Sequence, residues 1–450
     1  LPTWFSTENI YYPAKLSIEQ TSSEITAKYK SEIISGVDII DITGGFGVDC
    51  FYFSKQFKNV VHCEINEDLS TIVKHNYKQL KIKNVVTFSG DGIEFLKKND
   101  TNFDCIYIDP SRRNDLKGKV FLLKDCLPNV PENINFLFSK TNHILIKNSP
   151  ILDITSAINE LKFVKEIHII ALKNEVKEVL FLLEKEYKNS IKIKTRNIQK
   201  NNQFFEFDYE EEVFSEYAKP LSYLYEPNSA ILKSGGFKQV SHQLKIYKLH
   251  QHSHLYTSEN LIDFPGRIFK IKTVVPYDKK KIGKLLKDKK ANITTRNFPK
   301  TVAQIRKETK IKEGGNDYLF FTTNLENKLI VIMKIGEIAK QSGFSKDTLR
   351  YYEKIGLLKN VQRNSSGHRM YSSMDFKWIS FIKRLKETAM PLEEILEYAK
   401  LREVGSESVM LRKILLEQHK ENLRVHIDQQ QKHLQALEDK INLYKSGKVD

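Results

Sequence analysis

The sequence predicts three unlike parts: an α/β domain with a parallel sheet covered on both faces, a small α+β module, and an all-α region holding a winged helix-turn-helix and a C-terminal coiled-coil helix. Three observations predict this. From Val37 to about Phe207, short Val/Ile/Phe-rich runs alternate with amphipathic stretches, the pattern of strands joined by crossover helices. From Glu216 to Ile332 the pattern is mixed and ends in a basic stretch. From Met333 the period is almost wholly helical. At roughly 150 residues per domain, 450 residues suit about three domains.

The elements follow in order. Residues 8–35 are polar and helix-like. Strands are expected at Val37–Asp41, Val60–Glu64, Val85–Phe88, Phe103–Ile108, Ile144–Ile146 and Ile167–Ala171, each a short apolar run. His250, His252 and His254 alternate, so a strand there would show all three on one face. No cysteine or clustered carboxylate accompanies them, so no metal is expected. Lys334–Phe344 and Ser345–Ile355 read as two short helices around Gly343, with Ser345 as N-cap of the second. That second helix would be the DNA reader, carrying Arg350 and Tyr351. Asn360–Tyr371, with Arg369 and Tyr371, reads as a wing, and Ser373–Thr388 and Pro391–Arg402 as two more helices. The last helix carries two heptad sets, Leu416, Leu423, Leu437 and Tyr444, and Ile427, Leu434 and Ile441, which predict a coiled-coil seam and a homodimer.

Composition narrows the function. Lys+Arg is 72 against Asp+Glu 56, a net +16, which points to polyanions. Between Arg267 and Lys312 stand 16 Lys/Arg and three Asp/Glu, so +13 of the +16 sits in one stretch. Lys279, Lys280, Lys281 and Arg296 in it are candidate phosphate contacts. The four cysteines lack metal-ligand spacing, which excludes a disulfide-stapled fold and fits a reducing cytoplasm. No window approaches 18 apolar residues, so no membrane partner is expected. The chain opens on Leu1 rather than Met, so residues are expected to precede it, and nothing at that end reads as a signal peptide.

Four consecutive strand ends carry polar residues. The first leads into Asp41-Ile42-Thr43-Gly44-Gly45-Phe46-Gly47, a glycine turn that lets backbone approach a ligand. The second ends in Glu64, which can accept hydrogen bonds from ribose hydroxyls. The third leads to Asp91, placed for an adenine amino group, and the fourth to Asp109-Pro110-Ser111-Arg112-Arg113. Open α/β sheets bind ligands on this carboxyl edge, so a nucleoside cofactor is expected.

These residues resemble the class I S-adenosylmethionine-dependent methyltransferases, whose first motif is met here as Asp41-x-Thr43-x-Gly45-x-Gly47, with Thr43 in place of a glycine. Residues about 8–332 resemble, more narrowly, the bacterial methyltransferases with a THUMP-like domain. Glu19–Glu24, Asp109–Arg113, Lys147-Asn148-Ser149-Pro150, Tyr225–Asn228, Ser253–Ser258 and Phe264–Arg267 carry that likeness. The resemblance implies a Rossmann-like fold, S-adenosyl-L-methionine as cofactor, and methyl transfer to RNA, rRNA or tRNA. Lys147–Pro150 contains no cysteine, so thiolate-assisted attack on a pyrimidine carbon is not expected. Attack by a base nitrogen needs an acceptor for the departing proton, and Asp109 is placed for that, with Pro110 shaping the loop. Arg112 and Arg113 are candidates for the substrate phosphate.

Residues 333–446 resemble the MerR family of dimeric transcription regulators through Ile335–Ala339, Thr348–Leu358 and Arg369-x-Tyr371. The resemblance implies binding to duplex promoter DNA, which such proteins twist or bend. The nearest branch carries a sensing cysteine where this chain has Arg384. The expected limits are therefore a helical segment 1–36, the methyltransferase domain 37–215, a ferredoxin-like module 216–264, the basic THUMP-like module 265–332, the DNA-binding domain 333–402 and the dimerisation helix 403–450. No Gly/Ser/Pro linker separates Ile332 from Met333, as when two neighbouring genes are read as one. The rival reading is a regulator whose first three quarters binds S-adenosylmethionine as a sensor without turnover.

Overall fold

The computed structural model describes residues 1–112, 122–199, 202–279, 282, 286, 289–315, 317–334, 346–359, 361–363, 369–370 and 373–446. They form two compact units, the first comprising 1–219, 225–258 and 264–267, the second 220–224, 259–263 and 268–450.

The first unit is built on nine strands: β1 (Asp38–Asp41), β2 (Asn59–Glu64), β3 (Val85–Ser89), β4 (Phe103–Ile108), β5 (Thr141–Asn148), β6 (Val164–Leu172), β7 (Glu175–Glu184), β8 (Lys192–Ile198) and β9 (Gln203–Asp208). Their order is β9-β8-β6-β7-β5-β4-β1-β2-β3. From β5 to β3 all neighbours are parallel, as expected. Beyond β5 the expectation of a parallel sheet fails, because β7 lies antiparallel between β5 and β6. The cause is local. Lys173 and Asn174, between β6 and β7, have φ of 49° and 67°. Two successive left-handed residues make the tight hairpin that turns a strand straight back.

Four helices matter for the site: α1 (Glu24–Glu32), α2 (Val48–Phe53), α3 (Glu67–Gln79) and α4 (Gly92–Lys98). Ser23, Asn66 and Asp91 cap α1, α3 and α4 by accepting from backbone N–H groups. The apolar faces of α1 and α2 meet the sheet in a core that includes Ile39, Phe53 and Tyr107. Trp4 is wholly buried in that core and meets Phe51 edge-on at 4.9 Å, so the segment before β1 is part of the domain. Two further helices are α5 (Val130–Lys140) and α6 (Phe237–Leu244). Gln251–Ser253 form a turn rather than a strand, so the three histidines do not share a strand face. His250 is buried, His252 is exposed, and His254 stacks on Phe237.

The second unit, from Ile268 on, holds most of β10 (Gly266–Pro276) together with β11 (Asn292–Arg296), β12 (Tyr318–Thr323) and β13 (Leu329–Lys334), neighbours in the order β10-β13-β12-β11. Helix α7 (Val302–Thr309) opens on a Thr301/Gln304 capping box and buries Ile305 in this module's core. Met333 sits inside β13, opposite Thr273 and Leu319, and is 2% exposed. The regulator's expected first residue therefore belongs to the preceding module's sheet, and Lys334 is in the strand rather than in a first helix. The rest of that expected helix, with Ser345, lies outside the described residues.

The helical region has α8 (Lys346–Lys354), α9 (Ser373–Glu387), α10 (Leu392–Val404) and α11 (Val409–Lys445), with the short ribbon Gln362–Arg363 against Arg369–Met370 at the expected wing. Leu349, Tyr352, Trp378, Ile382 and Ile395 form its core.

Candidate active site and nucleic-acid interfaces

Parallel pairing brings the ends of β1 to β5 side by side. Asp41 stands in register with His62 on β2 and Tyr107 on β4, and Ile108 stands opposite Ile146. The glycine loop follows β1 at the middle of this edge. Thr43 donates its N–H to Asp41 Oδ1 at 2.9 Å, and its hydroxyl oxygen accepts the Asp109 N–H at 2.7 Å. Thr43 thus ties the end of β1 to the end of β4, work a glycine at that position cannot do.

Each glycine of the loop has its own reason. A Cβ on Gly44 would lie 2.2 Å from Nε2 of the buried His62 ring. Gly47 has φ +78°, and a Cβ there would lie 2.3 Å from the Tyr77 hydroxyl. Gly45 has φ +55°, but a Cβ there would meet only the Thr43 carbonyl, at 3.9 Å. The backbone at Gly45 therefore borders open space, a cradle that a side chain would fill.

Glu64 spans loop and strand. Its Oε2 accepts from Gly45 N–H and its Oε1 from Asn66 N–H, both at 2.8 Å. Each carboxylate oxygen has a further lone pair to offer. Asp91 spends Oδ1 on capping α4, accepting from Ile93 and Glu94 N–H at 2.8 and 3.0 Å. Asp41 departs from the expected direct cofactor contact. It is 1% exposed, and burial pushes its pKa up to about 8 against the Thr43 hydrogen bond. Turned inward, its carboxyl holds the loop through the Thr43 N–H.

Beneath this edge runs a charged network absent from the expected site. Asp109 forms an ion pair with Lys147, the penultimate residue of β5. Asp49 on α2 accepts from Tyr107 and Ser22 hydroxyls, each at 2.8 Å, and lies 3.1 Å from Lys30. Lys30, wholly buried, also donates to Glu178 at 2.8 Å. Burial opposes the charge on Lys147, but Asp109, then Asp49 and Glu178, outweigh it and raise its pKa. Burial likewise opposes the Asp49 charge, and Lys30 and Lys147 outweigh it and lower its pKa. Asn148, 2% exposed at the end of β5, has neither amide atom hydrogen-bonded among the described residues. Ser22 and Lys147 lie in stretches noticed for their pattern and Asp49 two residues past the glycine turn, but nothing in the order of residues joins them to one another.

Pro110 follows Asp109 and is buried. The backbone of Arg112 pairs with Cys126, and Arg113 lies outside the described residues. In the basic module Lys279 is 3.0 Å from Glu308, which also takes Lys300 at 2.7 Å and the Tyr277 hydroxyl at 2.9 Å. These contacts, Lys300 first, hold Glu308 down to about 2. Arg296 ends β11, and Lys280 and Lys281 lie outside the described residues. In the helical region Arg350 and Tyr351 are exposed on α8, the Arg369 backbone pairs with Arg363, and Tyr371 lies outside the described residues. Among the described residues no group of three or more His, Cys, Asp or Glu is placed to hold a metal, and no helix is long and apolar enough to cross a membrane.

Residues 13–169 match the family model described as conserved hypothetical protein 95, and residues 223–265 match a ferredoxin-like domain. Residues 266–334 match a model described as THUMP domain-like, and 333–401 the MerR HTH family regulatory proteins. A crystal structure of a candidate methyltransferase from Porphyromonas gingivalis W83 is 32% identical, covers 75% of this chain and 86% of its own, and superposes with a TM-score of 0.70. An uncharacterised helix-turn-helix regulator of Haemophilus influenzae is 34% identical over 111 residues, 25% of this chain and 82% of its own. The chain belongs to two families, the methyltransferases and the MerR regulators. The regulator AdhR of Bacillus subtilis is 41% identical over 91 residues, 20% of this chain and 65% of its own length. This fusion therefore spans about two thirds of AdhR. Its methyltransferase part supplies the parallel edge with the Thr43–Asp109 tie, and its MerR part supplies α8 and the wing ribbon.

Proposed function

We propose that the protein is a cytoplasmic S-adenosylmethionine-dependent RNA methyltransferase, acting on rRNA or tRNA, that dimerises through α11 and binds duplex promoter DNA through its MerR module. The observation that carries the reading is the parallel edge on which the open Gly45 backbone, Glu64 and Asp91 adjoin the Asp109–Lys147 pair. Gly45, Glu64 and Asp91 would hold the cofactor, which supplies an electrophilic methyl group when bound. Asp109 accepts the proton leaving the attacking base nitrogen. Lys147 holds Asp109 in place through their ion pair, and Asn148 offers a donor and an acceptor to the base edge. Arg112 and Arg113 meet the substrate phosphate. The Arg267–Lys312 stretch, with Lys279, Lys280, Lys281 and Arg296, binds the RNA backbone. Arg350, Tyr351, Arg369 and Tyr371 contact DNA. Exposed Ile427, Leu434, Leu437, Ile441 and Tyr444 on α11 support the dimer, since a partner helix would bury them.

The test is calorimetric titration of the full chain with S-adenosylmethionine, followed by methyl transfer to total RNA from cells lacking the gene. Asp109→Asn should keep cofactor affinity and lower the transfer rate about 100-fold or more. No cofactor binding refutes the reading, and binding without transfer to any RNA leaves a sensor.

A further inference from the structure

A second concavity in the first unit is built from other residues: the stretch Tyr209–Phe214, the start of α6, and the turn that carries the histidines. It encloses about 660 Å³, inside the ~300–1,000 Å³ usual for small-molecule sites. Lys248 lines it, 3% exposed. Its backbone is pinned on both sides, the N–H donating to Glu216 O at 2.8 Å and the carbonyl accepting from Ala218 N–H at 3.1 Å. Its ammonium donates to the Gln251 carbonyl at 3.0 Å and forms no ion pair among the described residues. A buried cation without a counter-charge is costly unless an anion comes to it. Burial, and then Lys238, draw the Lys248 pKa below that of an ordinary lysine, and an anion beside it would raise it again.

Three further features surround Lys248. Helix α6 begins there behind Gly235-Gly236; the Phe237 N–H donates to the Gly235 carbonyl at 2.7 Å, and among the described residues no side chain caps the Lys238 and Gln239 amides that follow. Phe237 and His254 stack with centroids 3.5 Å apart and planes 15° from parallel. His254 holds φ +51°, and the Tyr256 hydroxyl grips the Phe237 carbonyl at 2.8 Å, so the aromatic wall is fixed from both sides. Exposed Glu210, Glu211 and Glu212 lie on the rim.

We propose that this cavity binds one phosphorylated nucleoside, its phosphate against Lys248 and the Lys238 and Gln239 amides of α6, its base against the Phe237–His254 wall. The rim carboxylates accept from ribose hydroxyls and base amino groups. The same carboxylates would repel the flanking phosphates of a continuous strand, so the ligand is a single unit: a free mononucleotide or the phosphorylated end of an RNA. Both present one chemistry, so the site extends the RNA reading without depending on it.

The experiment is calorimetry on the full chain with the four 5′-mononucleotides, the matching nucleosides, inorganic phosphate, and tetranucleotides with a 5′-phosphate or a 5′-hydroxyl. At least one mononucleotide should bind at least tenfold tighter than its nucleoside and than phosphate. Lys248→Met should weaken it at least tenfold, and Phe237→Leu should weaken the mononucleotide but not phosphate. Lys238→Ala, at an exposed position, gives a smaller loss if Lys248→Met does not fold. Tight binding of the 5′-phosphorylated tetranucleotide places a strand end in the site, and binding of mononucleotides alone places a free nucleotide there. The proposal is overturned if no mononucleotide or tetranucleotide binds, if inorganic phosphate binds as tightly as the mononucleotide, if a 5′-hydroxyl tetranucleotide binds as tightly as a phosphorylated one that does bind, or if the substitutions change nothing. S-adenosylmethionine affinity, titrated on the same variants, should stay at the wild-type value, so failure of the methyltransferase reading registers separately.

Discussion

Alanine placed in turn at Gly44, Gly45 and Gly47 should separate stability from cofactor binding. At Gly45 an alanine meets nothing closer than 3.9 Å but must hold φ +55°, which costs about 1–2 kcal/mol. At Gly47 it must hold φ +78° and also lies 2.3 Å from the Tyr77 hydroxyl. Overpacking adds about 1–3 kcal/mol, so the sum is about 2–5 kcal/mol. At Gly44 the conformation is ordinary, but the His62 ring, 2.2 Å away and buried, cannot yield, which again costs about 1–3 kcal/mol or more. Trp4, buried in the first unit, reports unfolding by fluorescence once Trp378, the other tryptophan, is replaced by Phe. Gly45→Ala should be the least destabilised or level with Gly44→Ala, and Gly47→Ala the most. Affinity should rank differently. The Gly45 methyl fills the open cradle, so S-adenosylmethionine binding should weaken at least tenfold, about 1.4 kcal/mol, in a protein that is still folded. A Gly45→Ala protein that binds the cofactor within twofold of wild type, or that unfolds before Gly47→Ala, would refute the reasoning.

Four other outcomes are expected. Asp41, pushed up to about 8 by burial, stays protonated in the fold while it ionises when unfolded; the native state then binds the extra proton, so stability should fall as pH climbs from about 4 to about 8. Asp41→Asn should flatten that fall, and an unchanged pH profile of the Trp4 transition argues against it. Lys147→Met strands Asp109 beside Asp49 and Glu178, and because Asp109 is one-third exposed the loss should be about 2–3 kcal/mol rather than the upper value for a buried pair; a loss under about 0.5 kcal/mol contradicts the network. Reversing Lys279, Lys280 and Lys281 to Glu should weaken RNA binding and shrink the slope of log affinity against log salt by about two to three; an unmoved slope makes the segment a solvated face. Asp at both Leu434 and Ile441 should split the dimer in sedimentation and abolish DNA binding with it, whereas Arg369→Ala should leave the dimer and weaken DNA binding alone; a monomeric wild type defeats the seam.

Local chemistry was legible without coordinates wherever one short segment decides the outcome. The runs at β1 to β4 are uninterrupted and bounded by turn residues, and they fold within a residue or two of their expected limits. The helix α11 shows in the same way, since its period is a property of one segment. The Lys173-Asn174 hairpin escaped because it lacks the glycine that usually marks two left-handed residues in a row. The histidine alternation decided nothing, because three residues at spacing two share a face only in a strand, and this segment makes a turn.

What the sequence by itself determined is the set of pieces: which runs are strands, where backbone must pass close to a ligand, which stretch is basic, and where one protein family gives way to another. The partners of the charged groups belonged to the tertiary structure alone. Lys30 meets Glu178 across 148 positions, Asp109 meets Lys147 across 38, and Thr43 holds the Asp109 amide across 66. Pairing of that kind leaves no periodicity, because strand order in the sheet, not distance along the chain, sets which side chains come within reach. The inward turn of Asp41 has the same origin: a carboxylate after a strand reads as ligand-facing until the loop above it closes and burial takes it out of water.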